Sequence, residues 1–190
     1  MNSQVTNMVI VLLIFQLSRK LDLEDPEVVT YVRLGYMAAQ TIILSVCYFL
    51  SIKINSKNET TVLRYVEPPK PFTNEPGKPI ETTFMEYDLS KLKELVKQTL
   101  IGVVIMIFLH FYWNFTHPLF IQSILPIKNI YQNQLFKIHV LGKPAEGDLK
   151  RPFKTTSPFG AMNESQQPQT DKASFKKAVK ASKTFGEKDD

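Results

Sequence analysis

The sequence predicts an all-α membrane protein, and three observations predict it. Residues 34–52 and 98–127 contain no Asp, Glu, Lys or Arg. Each run is long enough, at 1.5 Å per helical residue, to approach or exceed a hydrocarbon core of about 30 Å. The 23 basic and 18 acidic residues of this 190-residue chain are therefore confined to the segments between and beyond those runs. A 22% charged and 44% hydrophobic average, with net charge +5, hides that segregation.

Before the first long run stands a shorter one, Met8 to Phe15 within 5–17. Thirteen helical residues span about 20 Å, too little to cross. A secretory leader wants basic residues before its apolar run and a small-x-small site after it. Here Asn2, Ser3 and Gln4 precede the run and Ser18-Arg19-Lys20 follows it, so a short membrane helix is expected instead. The acidic patch Asp22, Glu24, Asp25 and Glu27 comes next. Asp25-Pro26-Glu27 reads as a helix start, with Asp25 as N-cap and Pro26 in the first helical position. The helix it starts is expected over about 28–53 and crosses the bilayer.

Five prolines between Pro68 and Pro79 mark 54–88 as a polar, extended and irregular loop. Asp88 is placed to cap a further helix, with Leu89, Leu92 and Val96 on one face. That helix is expected over about 89–116, ending or kinking at His117-Pro118 because the residue before proline avoids helical geometry. Tyr112 and Trp113 suit an aromatic belt. Leu119–Leu125 is too short to span and is expected to lie at the interface or turn back. Residues 1–127 thus form a membrane domain and 128–156 a membrane-proximal segment with a short strand or amphipathic piece at Phe136–Leu141. Residues 157–190, rich in Ser, Gln, Pro, Lys and Asp, are expected to be a disordered basic tail.

Orientation poses a conflict. Basic residues near membrane ends stay cytosolic. The eight at Lys53, Lys57, Arg64, Lys70, Lys78, Lys91, Lys93 and Lys97 put the loop there, and twelve Lys/Arg from residue 128 onward put the tail there too. One intervening crossing does not allow both. Either 98–127 enters and returns, or the long tail crosses despite its charge; the cytosolic tail is the expectation.

Few residues suit chemistry. One cysteine, Cys47, excludes a disulfide framework and a Cys-rich zinc site. His110 and His117 share a helix face without a third metal ligand, and Gly142–Gly147 lacks the Gly-Lys-Ser/Thr ending of a phosphate loop. No enzyme, cofactor or metal is expected. Two polar stripes are more informative: Arg33, Gln40 and Ser51 on one long helix, with Tyr36 among them, and Thr99, His110, Asn114 and His117 on the other. They suit either a hydrated groove or ordinary polar packing between membrane helices. The spans hold no midplane cation for phosphate, which argues against an anion carrier. In the tail, Lys172, Lys176, Lys177, Lys180 and Lys183 are candidate contacts for ribosomal RNA or anionic lipid.

Ordered motifs add a resemblance. Gln16-Leu17-Ser18-Arg19-Lys20, Glu24-Asp25-Pro26, Tyr65-Val66-Glu67-Pro68, Tyr87-Asp88-Leu89 and Pro118–Ser123 are followed by Lys137-Ile138-His139. The most specific run holds Gly142, Lys143 and Pro144, then Asp148, Lys150, Arg151, Pro152 and Phe153. Together they resemble the fungal inorganic phosphate transport proteins of the endoplasmic reticulum, the family of the third component of the SRP-independent (SND) targeting pathway. The resemblance implies a multi-pass endoplasmic reticulum membrane protein that helps deliver and insert client membrane proteins. It implies as partners membrane lipids, those clients, other SND components, the Sec61 translocon and the ribosome, with no DNA. Effects on phosphate uptake would be indirect. A subunit of a phosphate transport system and a structural membrane scaffold are the alternatives.

Overall fold

The computed structural model describes residues 3–68, 77–154, 156–157, 160–161 and 167–186, with side chains at 8–68, 77–154 and 167–180. Its helices are α1 (Ser3–Ser18), α2 (Pro26–Lys57), α3 (Phe84–Trp113), α4 (His117–Gln132), α5 (Gln134–His139) and α6 (Lys172–Gly186). The strands are β1 (Val62–Glu67), β2 (Lys78–Thr83), β3 (Thr156–Ser157) and β4 (Gly160–Ala161). The fold is mostly helical, and α2 and α3 are both long and apolar enough to cross a membrane. Two small antiparallel sheets, β1–β2 and β3–β4, correct the all-α expectation. The chain divides into two compact units, residues 1–53 with 91–140 and residues 54–90 with 141–190.

In the first unit, Asp25 caps α2 as expected, accepting from the Glu27 amide at 2.8 Å. Val32, Tyr36, Ala39, Ile43, Cys47 and Leu50 are buried along α2, recurring every three or four residues as one helical face does. Leu23, Val32, Tyr36, Met106 and Leu119 form a core, with Val28, Val103 and Phe120 packed on it. Asn114 ends α3 by turning the backbone into the left-handed region, φ 52°. Asn tolerates that conformation better than other non-glycine residues, so α3 stops three residues before His117-Pro118. That dipeptide begins α4 instead, with proline in the first helical turn, where its missing N–H costs nothing. The helix that holds the apolar run Leu119–Leu125 continues through Pro126 to Gln132, and α4 packs on α1. Residues 134–139 are helical, not a strand, because the Asn133 carboxamide accepts from the Leu135 amide at 2.9 Å.

In the second unit, the expected irregular loop contains the β1–β2 hairpin, in register from Val62 opposite Thr83 to Glu67 opposite Lys78. Leu63 and Tyr65 are buried and Val62, Arg64 and Glu67 exposed, the alternation of a half-buried strand. Of the five prolines, Pro68 follows β1 and Pro79 lies in β2, while Pro69, Pro71 and Pro76 lie outside the described residues. Gly77 closes on β1 so tightly that a Cβ there would meet the Glu67 carbonyl oxygen at 2.7 Å. The start of α3 also lies earlier than expected. Thr83 and Glu86 form a reciprocal capping box: Thr83 Oγ1 accepts from the Glu86 amide at 3.2 Å and Glu86 Oε2 from the Thr83 amide at 3.1 Å. The Thr83 amide, helped by the Thr82 hydroxyl, holds the Glu86 carboxyl below the usual range. Asp88, expected as the cap, is instead buried. Part of the expected disordered tail is folded too. Gln169 bridges to Val66 of β1, and α6 follows, capped by Asp171 and packed on both strands of the hairpin.

Candidate functional site

Two polar arrangements stand out, one in each unit. In the second, Arg151 is buried against Asp88, donating Nε to Oδ1 at 2.8 Å and Nη2 to Oδ2. Its Nη2 also lies 3.2 Å from Glu59 Oε2, without hydrogen-bond geometry, while Lys57 holds the other Glu59 oxygen at 2.6 Å. Burial works against the guanidinium charge, but Asp88 and Glu59 outweigh it and raise its pKa. Arg151 also sits over the Phe84 ring, 4.7 Å from its centroid. Next to it the Phe153 amide donates to the Tyr87 hydroxyl at 2.8 Å, and the two rings meet edge to face.

The segment Gly142–Phe153 thereby acquires a structural meaning. Gly142 and Gly147 supply left-handed turns at φ 65° and 57°, Asp148 sits in a short 3-10 turn, and Lys143, Pro144 and Lys150 are exposed. The segment then delivers Arg151, Pro152 and Phe153, all buried, to the start of α3. The Arg151-Pro152 peptide is cis. The segment is thus a clamp on the start of α3.

In the first unit, Arg33 of α2 donates Nε–H to His110 Nε2 of α3 at 2.9 Å. His110 Nδ1 faces the Phe115 carbonyl at 3.4 Å. An imidazole that accepts at Nε2 and donates at Nδ1 is neutral, with its tautomer set by those two partners. His110 is only 5% exposed, whereas Arg33 is exposed. Of the two predicted stripes, this pair is what the structure joins directly. Thr99 donates to its own helix at the Leu95 carbonyl. Gln40 and Ser51 are half-buried on α2, Asn114 serves as the turn after α3, and His117 is exposed at the head of α4.

His117 contributes to a second feature that the stripes missed, an open cleft of about 470 Å³ between α1 and α4. Phe15 forms one wall, and Pro118, Ile121, Gln122, Leu125, Pro126 and Asn129 form the other. Those six positions recur every three or four residues, so one face of α4 lines the cleft. It is apolar apart from His117, Gln122 and Asn129. Pro126 adds to this polarity, because it has no N–H to offer the Gln122 carbonyl. Among the described residues no group of His, Cys, Asp and Glu is placed to hold a metal ion.

The chain matches the phosphate transport (Pho88) family over residues 1–185. It belongs to that family. It is 41% identical over 181 residues to SRP-independent targeting protein 3 of Saccharomyces cerevisiae, covering 95% of this chain and 96% of the relative. It is 33% identical over 178 residues to the SRP-independent targeting protein 3 homolog of Schizosaccharomyces pombe, covering 93% and 91%. An uncharacterised protein of the same yeast is 44% identical over 154 residues, covering 80% of this chain and 76% of its own. No solved structure matches. The similarity supports a role in SRP-independent targeting.

Proposed function

We propose that this Pho88-family protein is a non-enzymatic endoplasmic reticulum membrane protein that assists SRP-independent targeting and insertion of client membrane proteins beside the Sec61 translocon. The observation that carries the mechanism is the α1–α4 cleft. Both helices have 16 residues, about 24 Å each. A pair of helices shorter than a hydrocarbon core of about 30 Å draws the bilayer thinner around it. A charged or polar flank at the bilayer centre costs a client about 2.5–3.5 kcal/mol per charged residue. Crossing a thinned layer beside the amides of Gln122 and Asn129 and the imidazole of His117 lowers that cost.

Connectivity supports the orientation. Residues 54–90 and 141–190 fold as one unit and share the Arg151–Asp88 ion pair. An ion pair does not straddle a bilayer, so loop and tail occupy one compartment, which their lysines and arginines make the cytosol. Residues 91–140 therefore enter and return.

A photo-crosslinking residue at 122 or 129 tests the reading in native membranes. Adducts with a nascent client at both positions, and weaker ones at Val104 on the exposed face of α3, are expected. Equal crosslinking at all three removes the cleft from the mechanism. The family's description as phosphate transport favours a second reading, a subunit of a phosphate transport system. Phosphate flux through the purified, reconstituted chain is its test.

A further inference from the structure

The tail contains a surface that the cleft does not use. The second unit as a whole is nearly neutral, with 14 basic and 13 acidic residues in 54–90 and 141–190. Its cations are not spread evenly. Five lysines and no acid fall within α6, Lys172–Gly186. Among its residues with described side chains, the exposed ones are Lys172, Ala173, Lys176, Lys177 and Lys180. At 100° per residue those five positions occupy one arc of about 140°, and four of them are lysine. The half-buried residues, Ser174, Phe175, Ala178 and Val179, occupy the opposite side, where α6 packs on the hairpin. The strip is also held in place. Asp171 Oδ2 accepts from the Ser174 amide at 2.8 Å, the Phe175 amide bonds the Asp171 carbonyl, and the Val66–Gln169 bridge anchors the entry to the helix.

We infer that the exposed face of α6 is a docking strip for the phosphate backbone of structured RNA. A basic amphipathic helix that binds membranes does so by burying its apolar face among acyl chains. Here that face is spent on the hairpin, which leaves a cationic row without an apolar anchor. Lys172, Lys176 and Lys180 succeed one another every turn, about 6 Å apart along the axis, and Lys183 stands at the next turn. A fixed line of cations fits a polyanion whose charges also lie in a line, and each neutralised phosphate releases bound counterions. The inference deepens the proposed targeting role by giving it a ribosomal RNA contact, and it is tested separately from the cleft.

The full chain in nanodiscs of uncharged phosphatidylcholine is titrated with a fluescent-labelled ribosomal RNA stem-loop at several salt concentrations. Affinity is expected to fall with salt with a log–log slope of about −2 to −4, the signature of three or four phosphate contacts. Lys172→Gln/Lys176→Gln/Lys180→Gln is expected to weaken binding at least tenfold at low salt and to flatten the slope, while the corresponding triple arginine variant keeps both. Unchanged binding by the glutamine variant overturns the inference. So does absence of RNA binding alongside lysine-dependent flotation with phosphatidylserine vesicles, which makes the strip a membrane contact. Crosslinking from residues 122 and 129 to a ribosome-free client in the glutamine variant distinguishes the two ideas: it persists when only the strip is lost and is absent when the cleft reading itself fails.

Discussion

Arg151 and Arg33 each bond to a residue more than sixty positions away, yet they sit in opposite environments. The side chain of Arg151 is 2% exposed and that of its partner Asp88 1%. Arg33 is exposed and meets a neutral imidazole. A buried guanidinium matched by carboxylates is committed to holding its unit together, because removing one member strands the other charges. An exposed guanidinium on a neutral partner contributes little to folding and keeps its charge available. The first is a clamp and the second a contact.

The sharpest way to break this comparison is Arg151→Ala. It takes the bidentate partner away from buried Asp88 and should cost about 3–5 kcal/mol, seen as loss of protease resistance in residues 54–90 and 141–190. Replacing both partners by apolar residues, Arg151→Met with Asp88→Leu, should recover most of that stability. Next in size is Gly77→Ala, whose Cβ would meet Glu67 O at 2.7 Å and Val66 Cγ1 at 2.9 Å. Such overpacking costs about 1–3 kcal/mol, read as a lowered thermal midpoint with faster hydrogen exchange in β1. His110→Gln should change stability by less than about 1 kcal/mol while reducing client insertion. A loss of stability equal to that of Arg151→Ala would make the Arg33 pair a second clamp.

The smallest effect is at a helix cap. The Ser174 amide depresses the Asp171 carboxyl. A depressed carboxyl stabilises the fold above its unfolded pKa and loses that contribution as pH falls through its folded one. Exchange protection at the first amides of α6 should therefore drop on acidification below the ordinary Asp range. Asp171→Asn, also a good N-cap, should abolish the pH dependence and keep the helix.

Much of the helical framework was legible because it rests on local chemistry. Asp25-Pro26 announced α2, and runs without charge announced the two long helices. The hairpin was obscured by the prolines from Pro68 to Pro79, which read as an irregular loop, although the alternation in Val62–Glu67 was present. The capping box at Thr83 and Glu86 was there to be read, but Asp88 drew attention as the more familiar cap. Its true partner lies 63 residues away, and no local pattern encodes such a pairing. Of the candidate site, the stripes contained Arg33 and His110 but not their bond. The cleft was hidden because Pro126 reads as a stop, whereas a helix survives the loss of one hydrogen bond when its flanks are packed. The lysines of α6 suggested disorder by composition, although Asp171 and the spacing of Phe175 and Val179 carried the helical signal.

The pairing of Asp88 with Arg151 also imposes an order of assembly. Asp88 is made with the first turns of α3, and Arg151 follows only after the rest of α3, α4 and α5 have been made. The carboxylate gains its bidentate partner only when that later segment has come back to the start of α3. The clamp therefore closes last, and a chain that has closed it has already made every helix from α1 to α5.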